Sequence, residues 1–238
     1  MAARWQHQRS SGKKKMTKFL NAQNRIANRA AFLTAAIGAA SLLASCATRP
    51  SNDDVLASLK SSFSERGIAK LDRLEQTELQ RVCSQAASNG EPVPEKTRAA
   101  LQTAIYNALP YPADGKFIGD FKEGEKVAQN GRGMQFSDAA GAPNGANCYA
   151  CHQISPSEIS YGNQGPSLLK YGALRGVKDV NAAESLPIVK YTWGRIWNTH
   201  AFNACSGMPR FGDAKILTEQ QIKDVMALLL DPKSPVNQ

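Results

Sequence analysis

The sequence predicts an all-α protein, a helical N-terminal extension leading into a helical domain built around one loop-borne chemical site. Three observations predict it. Apolar residues recur at spacings of three and four in several separate segments, which is the signature of one buried helix face. Helix-capping signals stand near both ends of the C-terminal half. Between Asn147 and Gln153 the chain reads Cys148-Tyr149-Ala150-Cys151-His152, with no βαβ pattern around it.

The first segment is not part of a core. Arg4, Arg9, Lys13 to Lys15, Lys18, Arg25 and Arg29 make a basic leader, followed by an uncharged Ala-, Leu- and Ser-rich stretch from Ala30 to Thr48. That order reads as a secretory signal over residues 1–45. Met16 offers a second start, with Lys18, Arg25 and Arg29 still supplying the charge. Leu43-Ala44-Ser45-Cys46 resembles the lipobox of bacterial lipoproteins, in which Cys46 would be lipidated and anchored at a membrane surface. Ordinary cleavage after Ala47, discarding Cys46, is the rival reading. The Ala- and Gly-rich stretch is too weakly hydrophobic to make a good transmembrane anchor.

The formal net charge of +9 belongs largely to that leader, which holds eight of the 29 Lys and Arg and no acid. The remainder carries 21 basic against 20 acidic residues. A near-neutral body has no general basic face, so nucleic acid is not an expected partner.

Residues 46–113 form the expected extension. Val55, Leu56, Leu59 and Phe63, then Ile68, Leu71, Leu74 and Leu79 through Val82, keep helical spacing, with Gly67 and Asn89-Gly90 as punctuation. Arg98 to Leu109 is a further amphipathic run, closed by Pro110-Tyr111-Pro112. The extension has too little apolar mass to stand comfortably alone. The domain proper covers 114–238. Asp120 with Glu123 caps a helix running to Asn130, and Thr218 with Gln221 is a capping box opening the stripe Ile222, Val225, Met226, Leu229 and Leu230, which Asp231-Pro232 ends.

Cys148, Cys151 and His152 form the short pattern that attaches a haem covalently through two thioethers and places an imidazole beneath the iron. A redox dithiol would need a βαβ setting, and a zinc site would need two more soft ligands nearby. Only isolated Cys83, Cys205 and His200 remain. One haem c is therefore the expected cofactor. Two helices bracketing such a loop describe a class I cytochrome c-like domain. For the sixth iron position the candidates are Met134, Met208, Met226 and His200. Met208 is best placed, in the loop Gly207-Met208-Pro209-Arg210-Phe211-Gly212, whereas Met226 sits in a core stripe. Pro166, in Gly165-Pro166-Ser167-Leu168, stands where small c-type cytochromes place a proline whose carbonyl accepts the imidazole N–H. Trp193, Arg195, Trp197 and Arg210 are candidates to wall the porphyrin or pair with its propionates. Cys83 and Cys205 make an even remainder, and export favours a disulfide between them. Two buried free thiols are the alternative.

With these motifs placed, the region from about residue 116 to the C-terminus resembles SoxX, the monohaem subunit of the SoxAX cytochromes. The resemblance is carried by Asn147 to His152, Gly165 to Leu168, Trp193-Gly194-Arg195-Ile196-Trp197-Asn198, Met208 to Gly212 and the tail Asp231-Pro232-Lys233-Ser234-Pro235-Val236-Asn237. It implies a periplasmic electron-transfer subunit, paired with a SoxA-like cytochrome, of a complex that conjugates thiosulfate oxidatively to a cysteine of a SoxYZ-like carrier. The resemblance places the catalytic cysteine on the partner, gives this chain none, and implies a downstream cytochrome as electron acceptor. A freestanding periplasmic class I cytochrome c is the alternative, and an open sixth position would instead make a small-molecule-binding haem protein.

Overall fold

The computed structural model describes residues 50–238. The leader, Met16 and Cys46 lie outside the described residues. The chain divides into two compact units, one ending at Ser58 and the other running from Leu59 to Gln238. The described residues form α-helices and short 3₁₀ turns, with one isolated antiparallel bridge between Arg66 and Ala69.

Helix α1, Asn52–Ser62, begins where the Ser51 hydroxyl accepts from the Asp54 amide at 3.1 Å, with Asp53 and Asp54 complementing the positive N-terminal end of the helix dipole. Its apolar positions Val55 and Leu59 are exposed, as is Phe63 just beyond it.

In the larger unit the extension does not run as one helical stretch. Gly67 adopts φ +50°, and a Cβ there would overlap the Phe136 carbonyl, so the chain turns at this point. Ile68, Leu71 and Leu74, expected on a helix face, occupy that turn and a 3₁₀ segment at Leu71–Leu74. Regular helix resumes with α2, Glu78–Asn89, opened by a Thr77/Gln80 capping box and closed by left-handed Gly90. Helix α3, Glu95–Asn107, then delivers Leu109 into the core and the Pro110 carbonyl to the Trp193 indole N–H at 2.9 Å. Tyr106 meets Phe202 edge to face at 5.5 Å. Residues 59–113 thus pack as part of the same unit as the domain that follows.

Helix α4, Phe121–Gln129, starts where the Asp120 carboxylate accepts from the Lys122 amide at 2.7 Å. Helix α5 is Leu186–Trp197 and helix α6 is Glu219–Leu230, the latter opened by the expected Thr218/Gln221 capping box. The core is the crossing of α4 on α6. Gly124 makes it possible, because a Cβ there would meet the backbone carbonyl of Asp224 and stand 3.0 Å from the Val225 amide. The approach is fixed by the Gly119 amide on the Lys223 carbonyl and the Asp120 amide on the Asp224 carboxylate, both 2.9 Å.

The C-terminal tail folds back over the end of α6, where helix carbonyls lack intrahelical partners. The Ser234 hydroxyl donates to Leu228 O at 2.6 Å and the Asn237 amide to Leu229 O at 3.1 Å. The Asn237 side-chain oxygen accepts from the amides of Gly172 and Ala173, and Val236 O accepts from Lys170. The tail therefore pins the loop that follows residue 168, which borders the site described next.

Candidate functional site: an apolar haem cleft

The Cys148–His152 pentapeptide opens with a tight 3₁₀ turn at Cys148–Ala150. Asn147 enters it in the left-handed region at φ 48°, with its amide on Asn130 O at 2.9 Å. The His152 amide then donates to Cys148 O at 2.9 Å. A second loop lies directly over this turn: Gly162 donates to Tyr149 O, Gly165 to Cys151 O and Leu168 to Gln153 O, at 2.7–2.9 Å. Glycine is required at 165 because a Cβ would occupy the His152 ring.

Clamped in this way, His152 Nδ1 lies 2.7 Å from the Pro166 carbonyl. A carbonyl only accepts, so Nδ1 carries the proton and the Nε2 lone pair is free for a metal. That is the partner expected for Pro166.

His152 and Met208 line the same cavity. Its other walls are hydrocarbon, drawn from α4 (Ala128), α5 (Ile196), α6 (Val225, Leu228) and the loops bearing Leu168 and Phe211. Cys148 opens onto it too, and burial pushes that thiol up to about 12, so it remains a neutral thiol at physiological pH. Cys151 is partly exposed, its sulfur 3.6 Å from Gln164 Oε1. One imidazole nitrogen and one thioether sulfur on a cleft otherwise walled by hydrocarbon, with two thiols at the attachment turn, is a donor set that fits a porphyrin and its iron.

The other candidates sit elsewhere. Met226 is fully buried in the core and Met134 stands in the loop at φ 63°, its sulfur against the Asn144 amide. His200 is 5% exposed and donates from Nε2 to Ser206 O at 3.2 Å, a satisfied core histidine. Cys83 and Cys205 are joined by a disulfide. Trp193, Arg195, Trp197 and Arg210, the candidates to wall the porphyrin or pair with its propionates, do not line this cleft, while Arg210 lines a neighbouring cavity that Met208 also borders. Trp193 is core and stacks on Trp197 at 5.6 Å, Arg195 lies toward Tyr191 and Phe202, and Arg210 pairs with Asp213 at 2.6 Å.

Sequence reasoning missed the polar buttress under the attachment turn. The buried Tyr149 hydroxyl donates to Glu125 Oε1 at 2.8 Å, and burial raises its pKa. The pair is 24 residues apart, and no local signal joins them.

A family model for cytochrome c matches residues 118–232. These residues form a cytochrome c domain. The chain is therefore an electron-transfer haem protein that binds haem c covalently. An uncharacterized lipoprotein of Aquifex aeolicus (strain VF5) is 35% identical over 167 residues, covering 68% of this chain and 73% of that protein. Among the described residues, no helix is long and apolar enough to cross a membrane.

Proposed function

We propose that this cytochrome is the electron outlet of an exported SoxAX-like complex, passing on electrons released when thiosulfate is conjugated to a carrier cysteine. Cys148 and Cys151 would hold one haem c through two thioether links, and His152 Nε2 and Met208 Sδ would hold its iron. The observation that carries this assignment is the His152–Pro166 bond on the same apolar cleft that Met208 lines. When bound, the haem supplies a one-electron couple whose potential a His/Met ligand pair raises over two nitrogen ligands.

The chain's own residues do the rest. Pro166 O holds the imidazole in the tautomer that leaves Nε2 free, and Gly165 lets that loop close on the ring. The hydrocarbon walls exclude water and lower the local dielectric, which disfavours the more charged ferric state and tunes the couple. The Met208-Pro209-Arg210-Phe211-Gly212 loop and the Asp231–Asn237 tail are the motifs that support a SoxX-like role over that of a general carrier. In this role the nucleophilic cysteine and the sulfur chemistry belong to a SoxA-like partner, the SoxYZ-like carrier is the complex's substrate, and a further cytochrome accepts the electrons. The export leader supports a periplasmic site. The lipobox at Cys46, together with the word lipoprotein in the relative's name, supports lipid anchoring there.

Affinity purification of the chain from its native cells tests the assignment. Recovery with a second cytochrome, in a complex that transfers thiosulfate to the carrier only when that partner is present, supports it. Recovery of a lone cytochrome, with sulfur transfer intact in cells lacking this chain, makes it a freestanding carrier.

A further inference from the structure

Met208 borders two cavities. One is the apolar cleft it shares with His152; the other is more polar, with Gln76, Gln80 and Ser84 of the extension and His200 and Arg210 of the haem domain set among apolar residues such as Ile216. Both sulfurs of the Cys83–Cys205 disulfide belong to residues in the wall of that second cavity. The thioether thus has somewhere to go if its loop loosens.

Beyond Met208 the loop is tied to α5, where the Phe211 and Gly212 amides donate to Ile196 O and Trp197 O at 3.2 and 3.1 Å, whereas what restrains it before Met208 is mostly local. Ser206 donates to Asn203 O at 3.1 Å, the Met208 amide donates to Ser206 Oγ at 3.2 Å, and His200 donates to Ser206 O. Against these, Cys205 is covalently bound to Cys83 on α2, 122 residues away in sequence and outside the segment that matches the cytochrome c model. Helix α2 has a fixed footing, because Leu79 is buried and Arg73, just before it, donates to Met134 O. Cys205 is also exposed, so the bridge is open to a soluble reductant.

We propose that the Cys83–Cys205 bridge is a positioning device for Met208: it holds the thioether on the haem side, and opening it frees Met208 to swing into the polar cavity and vacate the sixth iron position. This rests on Met208 being the axial ligand. A dithiol reductant opens the bridge with two electrons and two protons, leaving two thiols here and a disulfide in the reductant. The extension thereby acts on the electron-transfer site from outside the family domain, and a thiol redox signal converts a closed six-coordinate carrier into one that takes exogenous ligands.

The test uses the full holoprotein. One sample stays oxidised. The other is treated with dithiothreitol, alkylated with iodoacetamide at Cys83 and Cys205 (checked by peptide mapping), freed of reagents and reoxidised at the iron with ferricyanide. Opening the bridge is expected to remove most of the weak far-red sulfur-to-iron band and tighten imidazole binding about tenfold, as the competent population rises, with far-UV circular dichroism unchanged. The Cys83→Ser/Cys205→Ser double variant should behave as the alkylated protein does. An unchanged band and imidazole affinity overturn the proposal. So does loss of the band together with the helical signal, which makes the bridge a general stabiliser. Absence of the band from the oxidised sample itself refutes Met208 ligation, a failure distinct from the other two.

Discussion

Replacing Gly165 with alanine perturbs the iron site through a single methyl group. Gly165 does not occupy the left-handed region, so alanine suits its backbone and the effect is steric. The new Cβ would stand 2.6 Å from His152 Nε2 and closer still to Cε1 and Nδ1. Either the imidazole turns, or the loop lifts off Cys151 O and Gln153 O. Overpacking of this kind costs about 1–3 kcal/mol, and losing the His152–Pro166 hydrogen bond adds about 0.5–1.5 kcal/mol, giving a loss of about 1.5–4.5 kcal/mol. For a unit of this size about 1 kcal/mol moves Tm by about 2–4 °C, so the ferric holoprotein should melt about 3–18 °C lower by far-UV circular dichroism. Its sulfur-to-iron band should also shift as the opposite ligand is displaced. A variant that melts within about 2 °C of the parent, with the same ferric spectrum, would refute the packing of this loop on the imidazole.

Gly124→Ala should separate α4 from α6 and lower stability by about 1–3 kcal/mol in guanidinium unfolding, because the opposing atoms are backbone; an unmoved midpoint contradicts the crossing. Tyr149→Phe leaves Glu125 with Gln129 as its remaining side-chain partner, the Oε2 atom already lacking one, and should cost about 1–3 kcal/mol in the same assay. His200 should make the fold acid-sensitive. Burial, and to a lesser degree Arg210, hold its pKa below the ordinary 6.5, while the Ser206 carbonyl and Asp213 oppose that shift. The unfolded imidazole therefore protonates first, so its contribution is complete above pH 6.5 and fades as pH falls through 6.5 toward the lower folded value. His200→Gln should flatten the stability slope in that window; a slope identical to the parent's would contradict it.

What the sequence displays clearly is what short-range chemistry specifies. The caps at Asp120 and Thr218 and the attachment turn at Cys148–His152 are written within a few residues, and the structure has each element where its signal stands. Pro166 is 14 residues from His152, and its carbonyl was readable only through resemblance to other c-type sites. Gly67 was legible as punctuation, but the non-helical path of Ile68, Leu71 and Leu74 after it was hidden, because apolar spacing continues across the glycine while the backbone obeys a close approach from Phe136, far along the chain. The partner of Trp193 was hidden for a related reason: its indole donates to the Pro110 carbonyl, 83 residues earlier. The cleft itself is walled by Ala, Ile, Leu, Val and Phe, which no composition distinguishes from any other core.

The most direct test is the ferric absorption spectrum of the purified, exported protein beside its Met208→Ala variant. A parent that is coloured through covalent haem and shows the weak far-red sulfur-to-iron band, with the variant keeping the haem and losing the band, is the predicted result. A colourless parent, or a band that survives in the variant, contradicts the His152/Met208 haem site.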